Sequence, residues 1–91
     1  MRYCWLCGGP ETSADPMDTH HIFGGSNRKK SERMGLTVDL HHNKCHIFGK
    51  KAVHNCAETM QALHEYGQRL AMENMGWDKD TFRREFGKNY L

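Results

Sequence analysis

The sequence predicts a small α+β fold in which a half built of strands and loops is stapled by a metal ion and a second half is helical. Three observations predict it. Residues 1 to 55 are rich in Gly, Cys and His and carry no sustained helical period. From Cys56 onward, apolar residues recur at spacings near three, four and seven. A chain of 91 residues, 37% of them hydrophobic, forms one domain and hides only about 60 to 65% of the surface that its unfolded form exposes. A core that thin calls for a staple, and four cysteines and seven histidines are at hand to supply one.

The elements follow in chain order. "CWLC" places Cys4 and Cys7 in a C-x2-C turn. Short strands are expected at "THHIF" and "LTVDL", where β-branched and apolar residues gather. Between them "GGSNRKKSER" reads as a solvated loop. "HHNKC", His41 to Cys45, supplies a second knuckle about 35 residues after the first. Two such knuckles close a tetrahedral site, because Zn²⁺ accepts thiolate and imidazole together. The assigned ligands are Cys4, Cys7, Cys45 and one of His41 or His42. His41 is favoured because it directly follows the strand, and Cys56 stands as a substitute fourth ligand. Such a site contributes folding energy outright.

The second half reads as a helix over residues 56–75, with Met60, Leu63, Leu70 and Met75 on the apolar face. Asn55 with Glu58 three residues on has the spacing of a capping box, and Gly76 ends the helix. Gly67 in mid-helix costs roughly 1 kcal/mol relative to Ala, which argues that another backbone passes close by. A shorter helix is expected from Lys79 to Phe86, between the cap Asp78 and Gly87, within a C-terminal segment of residues 78–91. Phe82 and Phe86 share one face of it. They are read as core together with Trp5 and Trp77, and His64 is read as structural.

Charge and compartment narrow the function classes. A net charge of +2 and a pI near 8.4 are only mildly basic, but residues 28–33, "RKKSER", concentrate four of the thirteen Lys and Arg side chains. The opening residues lack an apolar leader, and no run approaches the roughly 20 apolar residues of a membrane span. A soluble, intracellular (cytoplasmic) protein without membrane contact is expected. In that compartment thiols stay reduced, which favours metal over disulfides.

Zinc uses one histidine of the second knuckle and leaves His20, His21, His46 and His54 to be explained. The succession "CWLC", "THHIF", "LTVDL", "HHNKCH" and a helix after "AVHN" resembles the HNH, or His-Me finger, endonucleases, in particular small phage-type members with a zinc-ribbon frame. The resemblance spans residues 4 to about 75. It implies a zinc-stapled ββα-metal domain that hydrolyses DNA phosphodiesters with one divalent ion, Mg²⁺ or another, besides the structural Zn²⁺. By resemblance, His20, His46 and His54 hold the catalytic ion and His21 is the general base. Arg28, Lys29, Lys30 and Arg33 would grip DNA phosphates. No recognition helix is evident, so low sequence specificity is expected from a monomer or homodimer, and the resemblance implies a phage origin. The alternatives are a zinc-stabilised nucleic-acid-binding module that does not cleave and a metal-bearing adaptor.

Overall fold

Two hydrogen bonds at opposite ends of a two-stranded sheet set the register on which the sites depend. The computed structural model describes residues 2–91. In it β1 (Met17–His21) pairs antiparallel with β2 (Thr37–His41). The Ile22 N–H donates to Leu36 O at 3.0 Å and the His42 N–H to Pro16 O at 2.8 Å. This register puts Asp18 opposite Leu40 and His20 opposite Val38. Both strands lie where β-branched and apolar residues predict them, but β1 begins earlier than expected and ends at His21. Ile22 and Phe23 leave the ladder and are buried instead, at 1% and 2% exposure.

Three elements depart from the sequence reading. The expected loop at residues 24–33 folds as a short turn, Gly25–Asn27, followed by a helix, α1 (Arg28–Arg33). Gly25 takes the left-handed conformation, at φ 58°, that turns the chain into it. Ser31 anchors this helix. Its buried hydroxyl donates to Leu36 O at 2.6 Å and accepts from the Phe23 N–H. Second, the knuckle after β2 is a wide π-helical turn, His42–Ile47, which a single turn of sequence gives no period to detect. Third, a 3₁₀ turn, Val53–Asn55, precedes the long helix α2 (Ala57–Met75). Asn55 therefore does not cap α2. Its side-chain amide donates to Gly49 O, and the Cys56 thiol takes the capping place, drawing hydrogen bonds from Thr59.

The last helix, α3 (Lys79–Phe86), forms as expected. Asp78 accepts from the Thr81 N–H at 2.8 Å, and Gly87 ends the helix at φ 86°. No helix of the described residues is long and apolar enough to cross a membrane.

The chain divides into two units, Met1–His20 with Thr37–Met60, and His21–Leu36 with Gln61–Leu91. In the second, Phe82 and Phe86 stack with ring centroids 4.7 Å apart, and Phe23 packs on both. His64 stacks on Phe23 and meets Tyr90, which agrees with a structural role. Of the four expected core aromatics, only Phe82 and Phe86 are buried. Trp5 and Trp77 stay half-buried.

The apolar face of α2 is also displaced from the expected one. Leu63, Gly67, Gln68 and Ala71 are buried, whereas Met75 is 52% exposed. Gln68 is tolerated there because both ends of its amide are used. Its nitrogen donates to the Asn89 side chain, and its oxygen accepts from the Tyr90 N–H at 2.7 Å. Gly67 is needed for close approach, as expected, but the neighbours are the side chains of Ile22 and Phe23 rather than a backbone. A Cβ at this position would lie 2.5 Å from Ile22 Cγ2.

Candidate metal centres

Among the described residues the first unit holds a Cys and His cluster and a separate histidine cluster, and strand alternation at the end of β2 helps keep them apart. Successive side chains of a strand point to opposite faces. At the end of β2 this separates His41 from His42. His41 turns toward Cys4, Cys7 and Cys45, and the ligand atoms of these four residues all lie within 4.8 Å of one another. His42 turns instead toward Asp18 on β1.

The Cys4–Cys7 knuckle is built by its backbone. The Gly8 N–H donates to Cys4 O and the Cys4 N–H to Gly9 O, both at 2.9 Å. Gly8 at φ 76° makes the reversal. The Trp5 N–H donates to Asp39 O at 2.8 Å and ties the knuckle to β2. Across the site the π-helical turn delivers Cys45. Asp15 holds the start of that turn, accepting from the Asn43 and Lys44 N–H groups at 2.7 and 3.0 Å, and these bonds lower its pKa, that to Asn43 most.

The chemistry of this donor set fits a metal such as zinc. His41 donates from Nε2 to Pro10 O at 2.8 Å, which leaves Nδ1, 3.4 Å from Cys7 Sγ, as the ligand atom. Cys4 and Cys45 are buried. Burial opposes the Cys4 thiolate, but the N–H groups of Cys7 and His41 outweigh it and bring the thiol down to about 6. Burial, then hydrogen bonding with Cys4, pushes the Cys45 thiol up to about 12. Three sulfurs this close cannot all ionise without a cation, and a dication removes that conflict. The fourth residue positioned to hold the metal is thus His41. His42 faces the other cluster, and Cys56 is engaged at the start of α2.

The second cluster gathers His20 from β1, His46 from the π-helical turn and His54 from the 3₁₀ turn, again with ligand atoms within 4.8 Å. Ring centroids are 5.0 Å apart for His20 and His46, 5.2 Å for His20 and His54, and 4.8 Å for His46 and His54. Ala52 and Val53, at 0% and 1% exposure, seat the turn that carries His54. Burial lowers the His54 pKa, with a smaller contribution from His46, so the neutral ligand form is favoured. His46 Nε2 is buried and has no hydrogen-bond partner among the described residues. A polar atom left so carries a desolvation cost that a cation would relieve.

Asp18 was not among the residues singled out from sequence. It lies two positions before His20, on the same face of β1, and the period-2 spacing is the signal that points to it. Its Oδ2 accepts from His42 Nδ1 at 2.6 Å and from His46 Nδ1 at 2.8 Å, and the bond to His46 contributes most to its lowered pKa.

The remaining predicted residues belong to the second unit. His21 Nε2 is 3.6 Å from Glu32 Oε1 of α1, with the imidazole only 16% exposed. Arg28, Lys29 and Arg33 are exposed on α1. Lys30 is not free like them. Its ammonium donates to the Glu85 carbonyl, lies 3.4 Å from the Glu85 carboxylate, and sits 5.3 Å from the centre of the Phe86 ring. Compared with family models, with curated proteins and with solved structures, the chain matches none.

Proposed function

We propose that this chain is a metal-dependent endonuclease of the HNH (His-Me finger) kind that hydrolyses DNA phosphodiester bonds with little sequence preference. The observation that carries the reading is the convergence of His20, His46 and His54 from three separate segments, with a buried, unpartnered Nε2 among them, beside a distinct Cys and His cluster suited to structural zinc. His46, on the same turn that carries Cys45, links the second centre to the first.

Three imidazoles without a carboxylate suit a borderline ion such as Ni²⁺, Co²⁺ or Zn²⁺. Mg²⁺, which demands oxygen ligands, fits them less well. A bound divalent ion supplies Lewis acidity toward the phosphoryl and leaving oxygens. The rest falls to the chain. His21 follows His20 directly, at the last position of β1. It takes a proton from the attacking water, and Glu32 Oε1 lies 3.6 Å from its Nε2. The water oxygen bonds to phosphorus as the P–O3′ bond breaks, and the departing 3′ oxygen takes a proton from solvent, giving a 3′-hydroxyl and a 5′-phosphate. Arg28, Lys29 and Arg33 hold neighbouring phosphates and steer DNA without reading bases.

The test uses supercoiled plasmid with Ni²⁺, Mn²⁺ or Mg²⁺. Wild-type protein is expected to nick it, and His21→Ala to lose on the order of 100-fold in rate or more while still binding Ni²⁺. His46→Ala is expected to lose both. Cleavage by His21→Ala at the wild-type rate would reject the base, and a wild-type chain inert with every ion would favour the binding-module reading.

A further inference from the structure

Asp18, His42 and His46 form a third close group of metal-capable residues, and their distances show how it works. Two ligands about 2.0 Å from one tetrahedral ion stand roughly 3.3 Å apart. Asp18 Oδ2 is nearer than that to both imidazoles, at 2.6 Å from His42 Nδ1 and 2.8 Å from His46 Nδ1. These are charge-assisted hydrogen-bond lengths. The group is a hydrogen-bonded triad and not a third ion site.

An imidazole that donates from Nδ1 keeps its lone pair on Nε2. In His46 that Nε2 is the buried atom without a protein partner, and the ring packs against both His20 and His54. We infer that Asp18 is a positioning residue: by accepting from His46 Nδ1–H it fixes the tautomer and angle in which Nε2 is presented as a metal ligand with His20 and His54. His42 donates to the same oxygen and braces the carboxylate. His42 is 44% exposed, so it is the dispensable member of the triad. The device repeats what the Pro10 carbonyl does for His41 at the other centre, where the bond to Nε2 frees Nδ1.

This inference rests on the reading of His20, His46 and His54 as a metal site, and the experiment separates the two. The protein, loaded with one equivalent of Zn²⁺ or Co²⁺, is labelled with ¹⁵N at histidine. Imidazole nitrogen shifts then report the His46 tautomer before any second ion is added. Wild type is expected to show the Nδ1–H form, and Asp18→Ala to shift His46 toward the Nε2–H form. Asp18→Asn, whose amide oxygen still accepts, is expected to keep the wild-type tautomer.

Titration with Ni²⁺ follows. Asp18→Ala is expected to weaken binding roughly 10- to 100-fold, Asp18→Asn by less, and His42→Ala by less than threefold. In the Co²⁺-loaded sample the thiolate-to-cobalt absorption of the cysteine centre is expected to stay constant throughout and so reports an intact fold. Asp18→Ala that retains both the Nδ1–H tautomer and wild-type Ni²⁺ affinity would overturn the inference. If Asp18→Ala fails to fold, an Asp18→Asn chain whose His46 turns to the Nε2–H form would overturn it equally. A wild-type chain that binds no Ni²⁺ at these histidines would remove the nuclease reading, while the tautomer comparison would still decide whether Asp18 sets His46.

Discussion

Gly49→Ala is expected to disable the cysteine centre without touching a ligand. A Cβ at residue 49 would lie 1.8 Å from the Lys44 carbonyl oxygen and 2.8 Å from its carbonyl carbon. An unstrained carbon-to-oxygen contact is about 3.3 Å, so the carbonyl must retreat by roughly 1.5 Å. Lys44 directly precedes Cys45, and zinc sites tolerate ligand displacements of only about 0.2 Å. The same movement strains the bond from the Gly49 N–H to Asn43 O. Overpacking costs about 1 to 3 kcal/mol and the lost hydrogen bond about 1 kcal/mol more, so the metal-bound fold should lose roughly 2 to 4 kcal/mol. That corresponds to a roughly 30- to 700-fold loss in apparent zinc affinity and to a fall in Tm of roughly 10 to 30 °C. Competition with a chromophoric chelator gives the affinity and calorimetry gives the Tm. Zinc affinity within threefold of wild type, with Tm changed by less than about 3 °C, would refute the claim that this glycine is required by the turn.

Gly67→Ala tests the second unit in the same way with an opposing gain. Helix propensity favours Ala by roughly 1 kcal/mol, but Ile22 and Phe23 are too buried to yield to the new methyl, and overpacking of about 1 to 3 kcal/mol should win. Denaturant unfolding is expected to show a net loss of roughly 1 kcal/mol, whereas a gain would show that the pocket can relax. The His64 pKa is lowered, by burial first and then by Lys88. As pH falls through the unfolded value near 6.5, the unfolded chain takes up a proton before the folded one does, so stability is lost from there down to the folded pKa. His64→Phe should therefore show a smaller fall in Tm than wild type between pH 7.5 and 5.5, and parallel curves would contradict the assignment. On α1, Lys29→Glu is expected to weaken DNA binding and flatten its salt dependence. Lys30→Ala should mainly lower Tm, because its ammonium is held by Glu85 and Phe86. An equal loss of DNA affinity from both would place Lys30 on the DNA as well.

What the sequence made legible was whatever depends on short-range chemistry. The C-x2-C turn, the Asp78 and Gly87 caps and the Phe82–Phe86 pair each involve residues within a turn or two of one another, and each stands where spacing put it. The three sulfur ligands were readable because few alternatives exist for short-spaced cysteines in a thin core, and His41 was favoured by its place after the strand. Elements fixed by distant partners were not legible. Cys56 displaces Asn55 as the cap because Asn55 is drawn to Gly49 O. Gln68 sits at a buried position because residues 89 and 90 return to satisfy its amide. Residues 28–33 are polar enough for a loop, yet they wind into α1 because the Ser31 hydroxyl satisfies backbone groups of Phe23 and Leu36. The wide turn at His42–Ile47 is held by Asp15, and Asp18 takes its place in the histidine cluster through a partner 28 residues away in sequence.

The two His-His dipeptides show why a single register carries so much of the chemistry. In β2, alternation gives His41 to the sulfurs and His42 to Asp18. In β1 it separates His20, which joins His46 and His54, from His21, which meets Glu32. A slip of one residue in β1 would turn Asp18 and His20 away from His46. The turn His42–Ile47 then serves both clusters, because it carries Cys45 to the sulfurs and the next residue, His46, to His20 and His54.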